Sequence, residues 1–257
     1  MPNLIACRLA NYGQYQERAW THLPELGIRH LEMPVPAPGD RDTLKKRLAD
    51  SGLAASSLQA LCNVAAPDAV EVMRPQLEAC AFFGAKVCFL SAKAGDTDRS
   101  VIYKHLRAIG DVAAKYGVTI ALETHPDLIT NGDAACQTME AVDHPHVRIN
   151  FDTGNIYFYN EGRTAIEELA KVIDDVASVH LKDTSGKYQD WTFPALGLGV
   201  VDFSEVFQMM TARGFAGPFT MELEGIKGVE RDEAAHLKDV ADSVAYLRRI
   251  GAFRGPR

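Results

Sequence analysis

Four side chains between positions 123 and 222 are of types that ligate a divalent cation: Glu123, Asp152, His180 and Glu222. Each stands at or near the end of a short apolar run, in VTIALE, VRINFD, SVHLKD and FTMELE respectively. A charged group finishing an apolar strand is costly to desolvate without a partner, and carboxylates gathered together repel one another. A cation answers both costs. Three carboxylate oxygens with one neutral imidazole nitrogen make a hard-to-borderline ligand set. It suits Mn²⁺, the first expectation here, or Mg²⁺ or Co²⁺, admits Zn²⁺, and leaves positions for water or substrate. Taken singly, each acid reads more readily as a solvated residue or a helix cap. The metal reading rests on all four falling at the matching end of successive strands.

The spacing says what must position them. The four residues are separated by 29, 28 and 42 positions, one β-α unit each time, with a long loop lengthening the last. Short β-branched or apolar runs alternate with stretches of helical period along the whole chain, the pattern of repeated β-α units around a parallel sheet. Strands are predicted at Asn3–Leu9, Ile28–Met33, Ala54–Leu58, Lys86–Leu90, Val118–Glu123, Val147–Asp152, Ser178–Leu181 and Phe219–Leu223. Amphipathic helices are predicted between them, among them Asp68–Phe83, Asp98–Tyr116 and Glu230–Arg249. Glycines Gly27, Gly52, Gly84, Gly117 and Gly214 supply helix-closing turns before strands.

Eight such units in 257 residues describe a (β/α)8 TIM barrel, one domain over residues 1–257, with an open doubly wound sheet as the structural alternative. In a barrel all the strand ends that carry the candidate ligands point to one mouth. The connection from Asp183 to about Asp202 is long enough to cover that mouth. Its Gly197-Leu198-Gly199 lacks the setting of a dinucleotide fingerprint and reads as mobile or tight backbone.

Composition narrows the partners. Thirty-four acids against 27 bases give a net charge of -7, a field that repels nucleic acid. No apolar run reaches membrane-spanning length, and MPNLIACRLANYG has no signal-type pattern. Cys7, Cys62, Cys80, Cys88 and Cys136 are scattered without a CxxC and read as reduced core residues, so a cytoplasmic location is expected. The expected partner is a small sugar or polyol, with no nucleic acid and no membrane; a homo-oligomer is admitted.

The segments ALETH, INFDTGN, VHLKD, GLGVVDF and GFAGPFTMELE resemble the xylose isomerase-like barrels of sugar isomerases and epimerases, similar to tagatose 3-epimerase-like, hydroxypyruvate isomerase-like and inositol-catabolism members. The resemblance is most specific from Val118 to about Gly225 and elsewhere lies in the strand-helix rhythm. It implies metal ligation by Glu123, Asp152, His180 and Glu222. It also selects Glu222 over Glu224, because the family's ligand follows the pattern that Gly214 to Met221 matches. It further implies isomerisation or epimerisation through an enediolate, with Glu123 and Glu222 as the catalytic acid-base pair on opposite sides of the substrate.

The chain departs from the family pattern at three places. Asn155 stands where several relatives carry a His, and Ile129 and Gly186 stand where the epimerases carry the Glu and Arg that grip a free ketose. The hexulose 3-epimerase subgroup is therefore a poor match. His125, Asn155, Lys182 and Trp191 are the substrate-binding candidates. His125 is read as a relay or a loop residue, Lys182 as an anion contact or a partner of Asp183 or another acid, and Trp191 as a sugar platform or a loop anchor. Tyr157 and Tyr159 are read as pocket or subunit-contact residues. A dehydratase of an inosose- or dehydroshikimate-type substrate is the alternative function. A phosphodiester hydrolase like the abasic-site endonucleases and a non-catalytic binding barrel stand behind it.

Overall fold

Apolar runs that are buried on both faces form parallel strands, and here the strands close on themselves. A computed structural model describes residues 3–253; residues 1–2 and 254–257, the ends of the expected domain, lie outside the described residues. The barrel strands are β1 (Leu4–Arg8), β2 (His30–Pro34), β3 (Ala54–Ala60), β4 (Val87–Leu90), β5 (Thr119–Glu123), β6 (Val147–Asp152), β7 (Val176–Leu181) and β9 (Pro218–Met221). Each pairs in parallel with the next, and β9 returns to β1. That closure rules out the open sheet and confirms the (β/α)8 barrel. A second sheet of two antiparallel strands, β8 (Thr192–Phe193) and β10 (Gly225–Ile226), was not foreseen.

The helices are α1 (Ala19–Glu25), α2 (Arg41–Asp50), α3 (Ala69–Phe83), α4 (Arg99–Tyr116), α5 (Gly132–Val142), α6 (Thr153–Tyr159), α7 (Ala165–Val172), α8 (Phe203–Ala212) and α9 (Glu233–Arg249). On α4 the residues Ile102, Leu106, Ile109 and Ala113 recur at helical spacing and are fully buried. Gly84 and Gly117 close α3 and α4 in the left-handed conformation, as the turn signals predict. Among the described residues no helix is long and apolar enough to cross a membrane. All five cysteines are free: Cys7, Cys80 and Cys88 are buried, Cys62 and Cys136 partly so.

Register places the candidate ligands. Glu123 lies opposite Asn150, Asp152 opposite His180, and His180 opposite Thr220, with Glu222 two residues further along the same face. The pairing slips once at Leu31/Glu32 and once at Ile149/Asn150. Such irregularities re-aim the side chains that follow them, here Glu32 and Asp152.

The 183–202 connection is pinned rather than loose. Asp183, fully buried, accepts from the amides of Thr184 (2.9 Å), Gly197 (2.8 Å), Gly199 (2.9 Å) and Val201 (3.2 Å). Gly197 has φ +88°, and a Cβ at Gly199 would lie 2.3 Å from Asp183 Oδ1. The glycine turn is thus the tight one of the two readings. Its second anchor is the β8·β10 pair.

Asp183→Ala removes the acceptor of four amides, those of Thr184 and Val201 in buried bonds and those of Gly197 and Gly199 in part-buried ones, so we expect a loss of roughly 2–4 kcal/mol of stability and faster hydrogen exchange at Gly197, Gly199 and Val201. Unchanged protection of those amides would show that Asp183 does not hold the loop.

Candidate metal centre and cavity

Glu123, Asp152, His180 and Glu222 meet inside the barrel mouth, all buried, each offering a ligand atom within 4.8 Å of the others. Each carries a separate local constraint. Asp152 ends β6 and caps α6: its Oδ1 accepts from Gly154 N and Asn155 N, both at 2.9 Å. Cap and ligand, alternatives in the sequence, are divided here between the two oxygens, because Oδ2 makes no well-formed hydrogen bond. The ring of His180 is oriented by Glu32, whose two oxygens lie 3.2 Å from Nε2. With the Nε2 proton directed to Glu32, the lone pair is left on Nδ1, which lies 2.7 Å from Glu222 Oε2 and 4.0 Å from Asp152 Oδ2. Glu222 is gripped on the other side, where its Oε1 pairs with Arg8.

Glu32 and Arg8 were missed in the sequence. Glu32 is 2% exposed, accepts from Ser57 Oγ at 2.7 Å and pairs with Arg8 Nε at 3.2 Å. Burial would raise its pKa, but His180, Arg8 and Ser57 together hold the carboxyl down at about 2. Arg8 also donates to Gln59 Oε1 at 3.1 Å. Arg8 ends β1 and Glu32 stands midway along β2, both charged residues within otherwise buried strands.

Lys182 is buried against acids other than Asp183. Its Nζ lies 3.1 Å from Asp152 Oδ2, 3.0 Å from Glu224 Oε2, 3.4 Å from Glu222 Oε2 and 3.1 Å from Asn155 Oδ1. Burial would lower its pKa, but Asp152, Glu224 and Glu123 push it up, so the ammonium stays charged. Gly154 makes the room: a Cβ there would lie 2.7 Å from Lys182 Cγ. Glu224, the alternative ligand within MELEG, turns to Lys182 and is not among the clustered residues.

A cavity of about 350 Å³ opens onto this cluster, bordered by Glu123, His125, Asn155, Lys182, Trp191 and Glu222 among others. All four substrate-binding candidates therefore reach it. His125 contacts Ser91 Oγ and lies 3.1 Å from Glu123 Oε2; burial lowers its pKa despite Glu123, which favours the neutral ring. Trp191, 40% exposed, packs edge-on against Phe158 and Phe193, so it anchors the loop and walls the cavity at once. Tyr159 lines the cavity and Tyr157 does not. Phe89, Phe158 and Phe193 complete an aromatic wall that the sequence had not marked.

The donor set fits a divalent cation. Asp152 Oδ2, His180 Nδ1 and Glu222 Oε2 are buried without well-formed hydrogen bonds and lie on facing sides of one small space. Among the described residues, five carboxylates, those of Glu32, Glu123, Asp152, Glu222 and Glu224, face only the lysine and arginine cations of Arg8 and Lys182. A neutral His180 leaves that group three charges negative, and a doubly charged ion brings it to one.

This barrel is that of a known family. Residues 21–250 match the xylose isomerase-like TIM barrel family, and the chain belongs to it. Among its relatives, an inosose dehydratase from Geobacillus thermodenitrificans is 30% identical over 135 residues, 46% of this chain and 45% of that protein. The L-ribulose-5-phosphate 3-epimerase UlaE of Salmonella paratyphi B is 26% identical over 162 residues, 60% of this chain and 55% of that protein. The chain thus spans about half the length of the curated relatives it matches. The crystal structure of a xylose isomerase domain protein from Planctomyces limnophilus shares the fold, with a TM-score of 0.77 at 21% identity over 97% of this chain and 98% of that one.

Removing a ligand and removing an outer partner should differ in degree. In Mn²⁺ titrations followed by calorimetry, Glu32→Gln should bind the ion roughly ten- to hundred-fold more weakly and His180→Ala more weakly still. Glu224→Gln should stay close to wild type. Equal losses for Glu224→Gln and Glu222→Gln would move the fourth ligand to Glu224.

Proposed function

We propose that this protein is a divalent-metal-dependent isomerase or epimerase of a small keto-sugar or keto-polyol, acting through an enediolate. The observation that carries the reading is that Glu123 and Glu222 belong both to the buried ligand cluster and to the wall of one cavity. When bound, the cation, with Mn²⁺ the first candidate, polarises the substrate carbonyl and its neighbouring hydroxyl and acidifies the C–H between them. The chain's own groups supply the rest. One of the two glutamates removes that proton and the other returns one to the neighbouring carbon or to the opposite face of the same carbon. Arg8, by fixing Glu222 Oε1, leaves Oε2 as the working oxygen. Asp152 and His180 act as ligands alone. His125 and Asn155 meet substrate hydroxyls, the aromatic wall receives its apolar face, and the β8·β10 pair keeps bulk water from the enediolate. The free thiols support a cytoplasmic setting.

A second reading is loss of a β-hydroxyl from the same enediolate, giving a dehydratase. The match to an inosose dehydratase supports it, as does Lys182, whose ammonium, kept charged by its acids, stands at the cavity wall to protonate a departing hydroxyl.

Mn²⁺-loaded protein incubated with ketoses, aldoses and keto-inositols in D₂O should place deuterium on a carbon next to a carbonyl, detected by NMR, and EDTA should abolish the exchange. An isomeric product supports the first reading and loss of water the second. Exchange that persists in EDTA would contradict both.

A further inference from the structure

β1 and β9 pair in register as far as Cys7 and Met221, where β9 stops and β1 has one residue, Arg8, left. The chain after β1 turns into the irregular helical segment Leu9–Arg18, so the backbone that carries Glu222 loses its neighbour on this side just where the carboxylate must be aimed. On its other side the Glu222 amide still donates to Leu181 O at 3.0 Å. The missing rung is supplied by the side chain of Asn11. Its Nδ2 donates to Met221 O at 2.9 Å, and its Oδ1 accepts from Leu223 N at 2.9 Å. The two peptide groups that flank Glu222 are thus clamped by one carboxamide, which stands in for a strand's paired C=O and N–H.

Asn11 is itself fixed. It is 3% exposed, its second amide hydrogen meets Cys7 Sγ at 3.2 Å, and its own carbonyl accepts from His236 Nδ1 of α9 at 2.7 Å. The ring of His236 rests on Gly13, where a Cβ would lie 2.9 Å from Nε2. Every donor and acceptor of the carboxamide is used, so neither a carboxylate nor an apolar isostere reproduces the clamp. Three residues earlier, Arg8 holds the Glu222 carboxylate from the same segment.

We infer that Asn11 is a positioning residue for Glu222, setting the angle at which its carboxylate enters the metal cluster. The inference rests on the metal-site reading above. It concerns a residue more than two hundred positions away in sequence that touches neither the cavity wall nor the ligand atoms.

The test is Mn²⁺ affinity by electron paramagnetic resonance on the full chain, with the melting temperature measured in parallel. Asn11→Leu should bind Mn²⁺ roughly ten- to hundred-fold more weakly, the range seen when an outer partner of a ligand is lost. The control is Thr138→Val, which deletes an equally buried side-chain bond, Thr138 Oγ1 to Leu128 O at 2.7 Å, remote from the cluster. It should lower the melting temperature and leave Mn²⁺ affinity unchanged. If Asn11→Leu does not fold, Asn11→Ser is read in its place. A folded Asn11 variant that binds Mn²⁺ within two-fold of wild type overturns the inference. Wild-type protein that binds no Mn²⁺, Mg²⁺, Co²⁺ or Zn²⁺ instead removes the metal reading, and the inference with it.

Discussion

The structure turns on the repulsion among carboxylates held in a dry place. Glu123, Asp152 and Glu222 are each no more than 5% exposed, and at separations under 5 Å their mutual repulsion in a medium of low polarity amounts to several kcal/mol per pair at an effective dielectric near 20. Arg8 and Lys182 offset part of this and leave a deficit of positive charge. The position of that deficit, between one imidazole nitrogen and three carboxylates, is what makes the mouth of this barrel a candidate metal centre.

Much of the surrounding architecture serves to aim atoms at that point. Each of three clustered residues has one atom committed to an outer partner and one turned inward, where the two carboxylate oxygens meet only the Lys182 ammonium and the His180 ring. Asp152 commits Oδ1 to the start of α6, His180 commits Nε2 to Glu32, and Glu222 commits Oε1 to Arg8. The atoms left over are Asp152 Oδ2, His180 Nδ1 and Glu222 Oε2. Held this way, the side chains are oriented toward one point before an ion arrives, which lowers the cost of reorganisation on binding.

What was legible in the sequence was local. VRINFD spans β6 as read, and Gly84 and Gly117 mark helix ends through their own backbone preference. Glu123, Asp152 and His180 could be grouped because one β-α unit separates each from the next. Phe219–Leu223 was read as continuous strand, yet β9 stops at Met221 because the neighbouring strand ends and a side chain takes over its pairing. The eight expected helices did not include the split of the β6–β7 connection into α6 and α7, which follows from Asp152 capping a new helix at once. Arg8, Glu32 and Asn11 went unread for a related reason. Their partners lie 148 residues away in the case of Glu32 and His180 and 212 in that of Asn11 and Leu223, and only barrel closure brings them together. The β8·β10 ribbon, with two residues in each strand, is too short to show a period.

The most direct test of the metal centre is a crystal structure of protein soaked in Mn²⁺, with anomalous scattering measured at the manganese edge. The account predicts one strong peak about 2.0–2.4 Å from oxygens of Glu123, Asp152 and Glu222 and from His180 Nδ1, with Asn11, Arg8 and Glu32 in the contacts described above. A peak elsewhere, or Lys182 Nζ filling that space with no ion bound, would contradict it.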